Sequence, residues 1–332
     1  MLDLVVTHYD EPWEIGKRLF DTIASQVAID FDDIHVILVH DGSERFPCEN
    51  FSGYPFPVQQ VRIEHGGVSA ARNAGMTFCE RKWVQFIDFD DCFSNVFALR
   101  NVLDVLDTND YDLLWGDFWA VDRTKEGKSI VTRRGENVVF IHAKYFRRKW
   151  LEASGLKFDT ELEFNEDCLF VTLAIETIPT ERQGKINTDF PTFTWCYTPD
   201  SATSTQGNWC KAFIGGYKRN KKVCEFIREH SPERYDASFS RLVWDAYHAF
   251  NLVKVPEMLK ESIDDFRELY KENKEHFWFC DPVQMQEVMK ISVLQYTTGE
   301  QEALRRWGSA PMKMREDISI KEWLNGIETG VF

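Results

Sequence analysis

Six acidic side chains in two short strings hold most of the chemistry that this 332-residue sequence offers: Asp88-Phe89-Asp90-Asp91 and Glu163-Phe164-Asn165-Glu166-Asp167. In the first string three carboxylates fall within four residues, directly after the apolar run Trp83–Ile87. They repel one another unless a cation neutralises them. Hard oxygen ligands on a tight turn suit Mg²⁺ or Mn²⁺, ions that keep coordination positions open for substrate phosphates. The competing use of such a turn is to cap a following helix with Asp90 or Asp91. The second string opens a helix-like run, Glu166–Ile178, where acidic residues also answer the positive end of a helix dipole.

Leu2–Val6, Ile34–Val39, Val58–Ile63 and Trp83–Ile87 read as buried strands. Between them, Ile15, Leu19, Ile23 and Val27 recur at helical spacing after Pro12, and Val68–Cys79 reads as a helix of small residues. This alternation predicts a parallel α/β sheet. Ligands bind such sheets outside the carboxyl ends of the strands. Polar clusters stand at three of those ends: Thr7–Glu11, Asp41–Ser43 and Asp88–Asp91. Three coincidences mark a site. Farther on, the spacing predicts a strand at Val138–His142 and a helix at Lys144–Ala153 closed by Gly155. Beyond about Gln206, amphipathic stretches at Phe239–Val253, Met258–Tyr270 and Val283–Tyr296 predict a helical second domain.

Composition bounds the answer. The chain has 43% apolar, 28% charged and 14% aromatic residues, which excludes a disordered protein. No apolar run approaches the roughly 18 residues of a membrane span, so no transmembrane segment is expected. A net charge of −15 argues against a long groove for nucleic acid, which needs a surplus of Lys and Arg. Eight cysteines stand singly without a CxxC pair, as free thiols do in a reducing cytosol. The start MLDLVVTHYDEP reads as a first strand rather than a leader, so a cytoplasmic protein is expected.

Taken in order, strand–Thr7-His8-Tyr9, strand–His40-Asp41-Gly42-Ser43, Gly66-Gly67-Val68-Ser69-Ala70-Ala71-Arg72-Asn73-Ala74-Gly75 and strand–Asp88-Phe89-Asp90-Asp91 resemble the family-2 glycosyltransferases. The likeness covers about the first 200 residues. It implies an α/β GT-A fold over 1–207, with the helical domain over 208–332. It also implies a nucleotide-sugar donor, in particular a UDP-sugar, a hydroxyl acceptor such as a glycan, and a Mn²⁺ or Mg²⁺ cofactor. By resemblance Thr7 and Tyr9 line the nucleobase, Glu11 lies by the ribose, Asp41 meets the uracil imide and Arg72 steadies the nucleotide. Asp88 and Asp90 are the metal pair, Asp88 lying also near the ribose. Asp91 faces the donor sugar or acceptor. Asp167 falls on the family's general base, with Glu166 beside it, and the transfer is expected to invert. His142 stands where the acceptor pocket forms, either as a contact or as a packed histidine. Ser201 and Ser204 fall in a loop that covers the donor diphosphate.

Departures from the family pattern are His40, in place of the first of two aspartates before Gly-Ser, and the absence of the proline after the acidic turn, where Asn95-Val96-Phe97 stands. No QxxRW string marks a processive polymerase. Two rivals are a nucleotidyltransferase-like enzyme, which would carry a glycine-rich phosphate loop after the first strand, and an inactive nucleotide- or sugar-binding module, which would have lost one of the acidic residues. Aromatics in the C-terminal half read as helix core, with a sugar platform or an oligomer interface as the alternative. The basic string Lys218-Arg219-Asn220-Lys221-Lys222 reads as a solvated helix face, with an anionic acceptor or membrane surface as its functional alternative.

Overall fold

The first strand lies inside the main sheet, paired on both sides, and all seven of its residues are buried. The computed structural model describes residues 1–42, 44, 51–124, 126–135, 139–198, 208–252, 256–277 and 320–331. In chain order these form β1 (Leu2–His8), α1 (Trp13–Ala24), β2 (Ile34–Asp41), β3 (Val58–Ile63), α2 (Gly67–Met76), β4 (Trp83–Asp88), β5 (Cys92–Phe93) and α3 (Ala98–Thr108). There follow β6 (Leu113–Trp115), β7 (Phe118–Arg123), β8 (Ser129–Arg134), β9 (Lys144–Arg147), α4 (Arg148–Ser154), α5 (Glu166–Thr177), β10 (Gln183–Lys185) and β11 (Phe193–Cys196). Helices α6 (Asn208–His230), α7 (Tyr235–Leu252), α8 (Pro256–Asn273) and α9 (Ile320–Thr329) complete the described elements.

Among the described residues, seven strands make one sheet in the order β10-β6-β9-β4-β1-β2-β3. Strands β3, β2, β1 and β4 run parallel, so their carboxyl ends share one edge. Strand β9 runs antiparallel to both β4 and β6. The period of two along each strand splits the core between the faces of the sheet. Leu4 and Val6 of β1 join Leu19 and Phe20 of α1 and Leu99 and Val102 of α3 on one face. Val5 joins Ala71 of α2 and Phe170 and Val171 of α5 on the other. Gly75 lets α2 lie close on β1, since a Cβ there would stand 2.3 Å from Val5 Cγ1. A second sheet, β5-β11-β7-β8, was not anticipated from the sequence; its strands are as short as two residues.

One segment departs from expectation. Residues 139–142, within the run read as a strand, form a turn with Ala143, and the strand begins at Lys144, within the run read as a helix. Ala143 sits at φ +52°, a left-handed conformation that interrupts an extended strand. Lys144, Tyr145 and Phe146 then fill the gap between β4 and β6. The following helix is correspondingly short, and Gly155 ends it at φ +65° as predicted.

Two compact units divide the chain. Met1–Asp122, Ser129–Glu161 and Glu166–Thr198 form the α/β unit; Arg123–Lys128, Leu162–Asn165 and Pro199–Phe332 form the second. The expected boundary at 207/208 adjoins residues outside the described set, and Ser201, Ser204 and the predicted helix 283–296 lie outside the described residues. Within the second unit α6 to α9 pack around Tyr217, Phe239, Val243, Phe266 and Ile327. Among the described residues no helix is long and apolar enough to cross a membrane.

Candidate functional site

At the shared carboxyl edge, β1 and β4 put Thr7 opposite Asp88 in register, with Thr7 Oγ1 3.5 Å from Asp88 Oδ1. One residue later, the side chain of His8 turns inward and meets His40 of β2, Nδ1 to Nδ1 at 3.2 Å. The far nitrogens reach Glu11 O (2.9 Å) and Gln60 Oε1 (3.1 Å). Burial lowers the pKa of both histidines, so this link is between neutral rings. His40, the departure from the family pattern, is thus buried structure beneath the site.

Tyr9 points outward, 51% exposed, and stacks on His65 at 4.4 Å. Its N–H donates to Glu11 Oε2 at 2.7 Å. Glu11 is pushed up to about 7 by burial and by the negative charge of Asp90 and Asp88. Asp41 is buried and closes the start of α2: its oxygens accept from Gly66 N (2.7 Å) and Gly67 N (2.9 Å), and His65 Nδ1 lies 3.0 Å away. Each carboxylate oxygen carries two lone pairs, so acceptor capacity remains after those bonds. His65 escaped notice in the sequence, where its only signal is its place before the glycine pair.

The acidic turn is pinned by Phe89, which is buried beneath α1; a Cβ on Gly16 would stand 2.0 Å from its ring. No helix follows the turn, so it caps none; β5 begins at Cys92. Asp88 Oδ1 accepts from Arg72 at 2.8 Å, and the other arm of Arg72 donates to Glu166 Oε1 at 2.8 Å. One buried guanidinium therefore ties the turn to the first residue of α5. Burial works against ionisation of Asp88, but Arg72, His142 and the bonds from Arg72 and Thr7 prevail and hold it below the usual carboxylate range. Arg72 is itself held charged, with burial opposed by Asp88, Glu166 and Asp167.

Asp90 is pushed up to about 7 by burial and by Asp91 and Asp88, and Arg18 bonds its carbonyl. Asp91 is fully buried. Its Oδ1 accepts from Cys196 N at 2.9 Å, and its Oδ2, without a hydrogen bond, faces His142 Nδ1 at 3.6 Å. Burial raises the pKa of Asp91 despite that imidazole. In return Asp91 raises the pKa of His142 against the cost of burial. Ligand atoms of Asp88, Asp91 and His142 lie within 4.8 Å of one another. Sequence reasoning placed the metal on Asp88 and Asp90; the geometry adds Asp91 and His142, and Asp90 is not among the three converging donors.

At the start of α5, Glu166 is pushed up to about 7 by burial and by Asp167, with Arg72 opposing. Asp167 Oδ2 accepts from Ile141 N at 3.4 Å, so the base candidate is moored to the turn that carries His142. Lys144 follows that turn, buried, its pKa lowered by burial to about 8 with Asp167 opposing. It too was missed, because a lysine is ordinary in the helix that its segment was expected to form. The strand ends thus bring together Thr7, Asp88, Arg72 and Glu166 in one linked set, with Asp91 and His142 beside Asp88. Tyr9, Asp41 and His65 form a second group.

Residues 3–160 match the description of glycosyl transferase family 2. The minor teichoic acid biosynthesis protein GgaA of Bacillus subtilis is 31% identical over 159 residues, 42% of this chain. The chain spans about a third, 35%, of GgaA's own length. S. aureus TarS superposes with a TM-score of 0.61 at 18% identity, over 80% of this chain and 48% of that one. TarS 1-349 in complex with UDP-GlcNAc gives 0.54 at 15% identity, over 84% and 93%. Mannosyltransferase PcManGT from Pyrobaculum calidifontis, in complex with GDP-Man and Mn²⁺, gives 0.52 at 14% identity, over 98% and 83%. These likenesses show the GT-A fold.

Proposed function

Because residues 3–160 match glycosyl transferase family 2, we propose that this chain moves a sugar from a nucleotide-diphosphate donor, a UDP-sugar, to a hydroxyl acceptor with inversion. The observation that carries the proposal is the Asp88–Arg72–Glu166 bridge, which fixes the acidic turn against the start of α5. Donor-side and acceptor-side carboxylates are thereby held in one rigid frame. The UDP-GlcNAc complex of the TarS neighbour supports the donor class.

Tyr9 offers its exposed ring to the base, and Asp41 offers its remaining lone pairs to a ring N–H. Thr7 and Glu11 border the ribose, and Arg72 keeps the turn in place. The residues fit a divalent ion: Asp91 Oδ2 is buried without a hydrogen bond, and the donors of Asp88, Asp91 and His142 converge. Those three, with Asp90 from the same turn, would hold Mn²⁺ or Mg²⁺. When bound, such an ion supplies positive charge against the leaving diphosphate. The Mn²⁺ in the PcManGT complex supports this cofactor.

Asp167 takes the proton of the acceptor hydroxyl, and the freed oxygen attacks the anomeric carbon from the face opposite the diphosphate. A cytosolic setting belongs to the same reading, supported by the free thiols Cys79, Cys92, Cys168, Cys196 and Cys224. The test is UDP release and transfer over a panel of UDP-sugars with Mn²⁺. Asp167→Asn should lower turnover roughly 100- to 10,000-fold and leave the thermal stabilisation by UDP intact. Undiminished turnover would refute the base assignment.

A further inference from the structure

Lys144 is the one buried lysine among the described residues, at 1% exposure. Its strand is hydrogen-bonded on both sides, to β4 and to β6, with Lys144 in register with Trp115. The backbone therefore cannot turn the residue outward. Alternation along β9 sets Lys144 on the same face as Phe146. That is the face covered by α5, whose Phe170 ring lies 5.4 Å from Phe146. The ammonium is thus directed toward α5, and its electrostatic neighbours are Asp167 and Cys168. Among the described residues its one hydrogen bond is a long one, to His142 O at 3.5 Å. A cation with three donors is costly to bury with so little compensation. Leucine or methionine would fill the same place more stably, so packing alone does not account for a lysine here.

We infer that Lys144 is a positioning residue for Asp167, an inference that rests on the reading of Asp167 as the base. Through His142 O the lysine braces the turn whose Ile141 N–H donates to Asp167 Oδ2 at 3.4 Å. Its positive charge, buried toward α5, attracts the same carboxylate. Asp167 is held by a backbone N–H and by a buried cation, while Lys144 itself works through the base and not on the substrate.

The experiment compares Lys144→Met, Lys144→Gln and Asp167→Asn with the unaltered chain. It follows UDP release, with Mn²⁺, from whichever of UDP-glucose, UDP-galactose, UDP-GlcNAc and UDP-GalNAc the unaltered chain hydrolyses fastest. Both lysine variants should lose at least about 10-fold in kcat, with donor KM changed by less than about 2-fold. The melting temperature of Lys144→Met should stay the same or rise, because a buried charge has gone. Unchanged kcat in Lys144→Gln, or a fall in kcat that tracks a fall in melting temperature in both variants, overturns the inference. Activity in Asp167→Asn, or hydrolysis of no donor by the unaltered chain, overturns the base reading itself. An inactive Asp167→Asn beside fully active lysine variants overturns only the role of Lys144.

Discussion

The carboxyl edge of the α/β unit and the helical unit treat charge in opposite ways. Along the edge, Glu11, Asp90 and Glu166 are each pushed up to about 7, and among the described residues Asp91 Oδ2 has no hydrogen bond and Lys144 has one long one. In the helical unit Asp265 takes both the Tyr217 hydroxyl at 2.8 Å and the Lys221 ammonium, Asn220 donates to Asp245 at 2.6 Å, and Lys274 pairs with Glu328 at 2.9 Å. One region closes its polar contacts and the other leaves them strained. Stability alone selects closed contacts, since each uncompensated buried charge is destabilising. The strained set at the strand ends is what a site awaiting a cation and a charged ligand looks like.

The sharpest way to break this contrast is Arg72→Met. Arg72 is buried, and its loss leaves Asp88 and Glu166 facing each other without a counter-charge. Breaking a buried pair in this way costs about 3–5 kcal/mol. Urea unfolding should show that loss, and UDP release should disappear with it. Arg72→Lys keeps the charge but not the two-armed reach, so it should restore only part of the stability. A loss within ordinary surface variation would mean that the bridge is not what holds the site.

A second test sharpens the same point by pH. Glu11, Asp90 and Glu166 titrate near 7 when folded, through burial first and then neighbouring negative charge. In the unfolded chain such carboxyls titrate near about 4. Their folded pKa values are raised, so the stability they contribute is full below the unfolded value and is lost as pH rises through about 7. The metal-free melting temperature should therefore fall from about pH 5 to about pH 8. Mn²⁺ should flatten that slope, because it neutralises the acidic turn, and Asp91→Asn should weaken the Mn²⁺ effect. A metal-free profile without slope would remove the strain from the picture.

Much of this edge was legible in the sequence because parallel strands are short apolar runs, and the polar residue that ends each run lands on one edge of the sheet. Thr7, Asp41 and Asp88 could be placed together on that ground alone. The bridge could not: Arg72 and Glu166 are 94 residues apart, and nothing local distinguishes a buried arginine from a solvated one. Lys144 was hidden by the left-handed Ala143, which turns the chain directly after the run Val138–His142 that suggested a strand. His65 was hidden because a stacked pair with Tyr9 requires β1 and the start of α2 to be folded first. The helical unit shows the reverse. Its core aromatics, such as Tyr217 and Trp323, were legible from helical spacing, since there the period itself decides what is buried.

The smallest effect is expected where the contrast predicts none on function. Lys221 belongs to the basic string on α6, yet its ammonium is already paired with Asp265, and the pair is part-exposed at 26% and 40%. Asp265 keeps the Tyr217 hydroxyl when Lys221 is removed, so no buried charge is stranded. Lys221→Met should cost about 0–1 kcal/mol, the range of a screened surface pair. UDP release should be unchanged at every salt concentration. A drop in transfer to an anionic acceptor, relieved by added salt, would show instead that the string meets a ligand, and that the helical unit also holds charge in reserve.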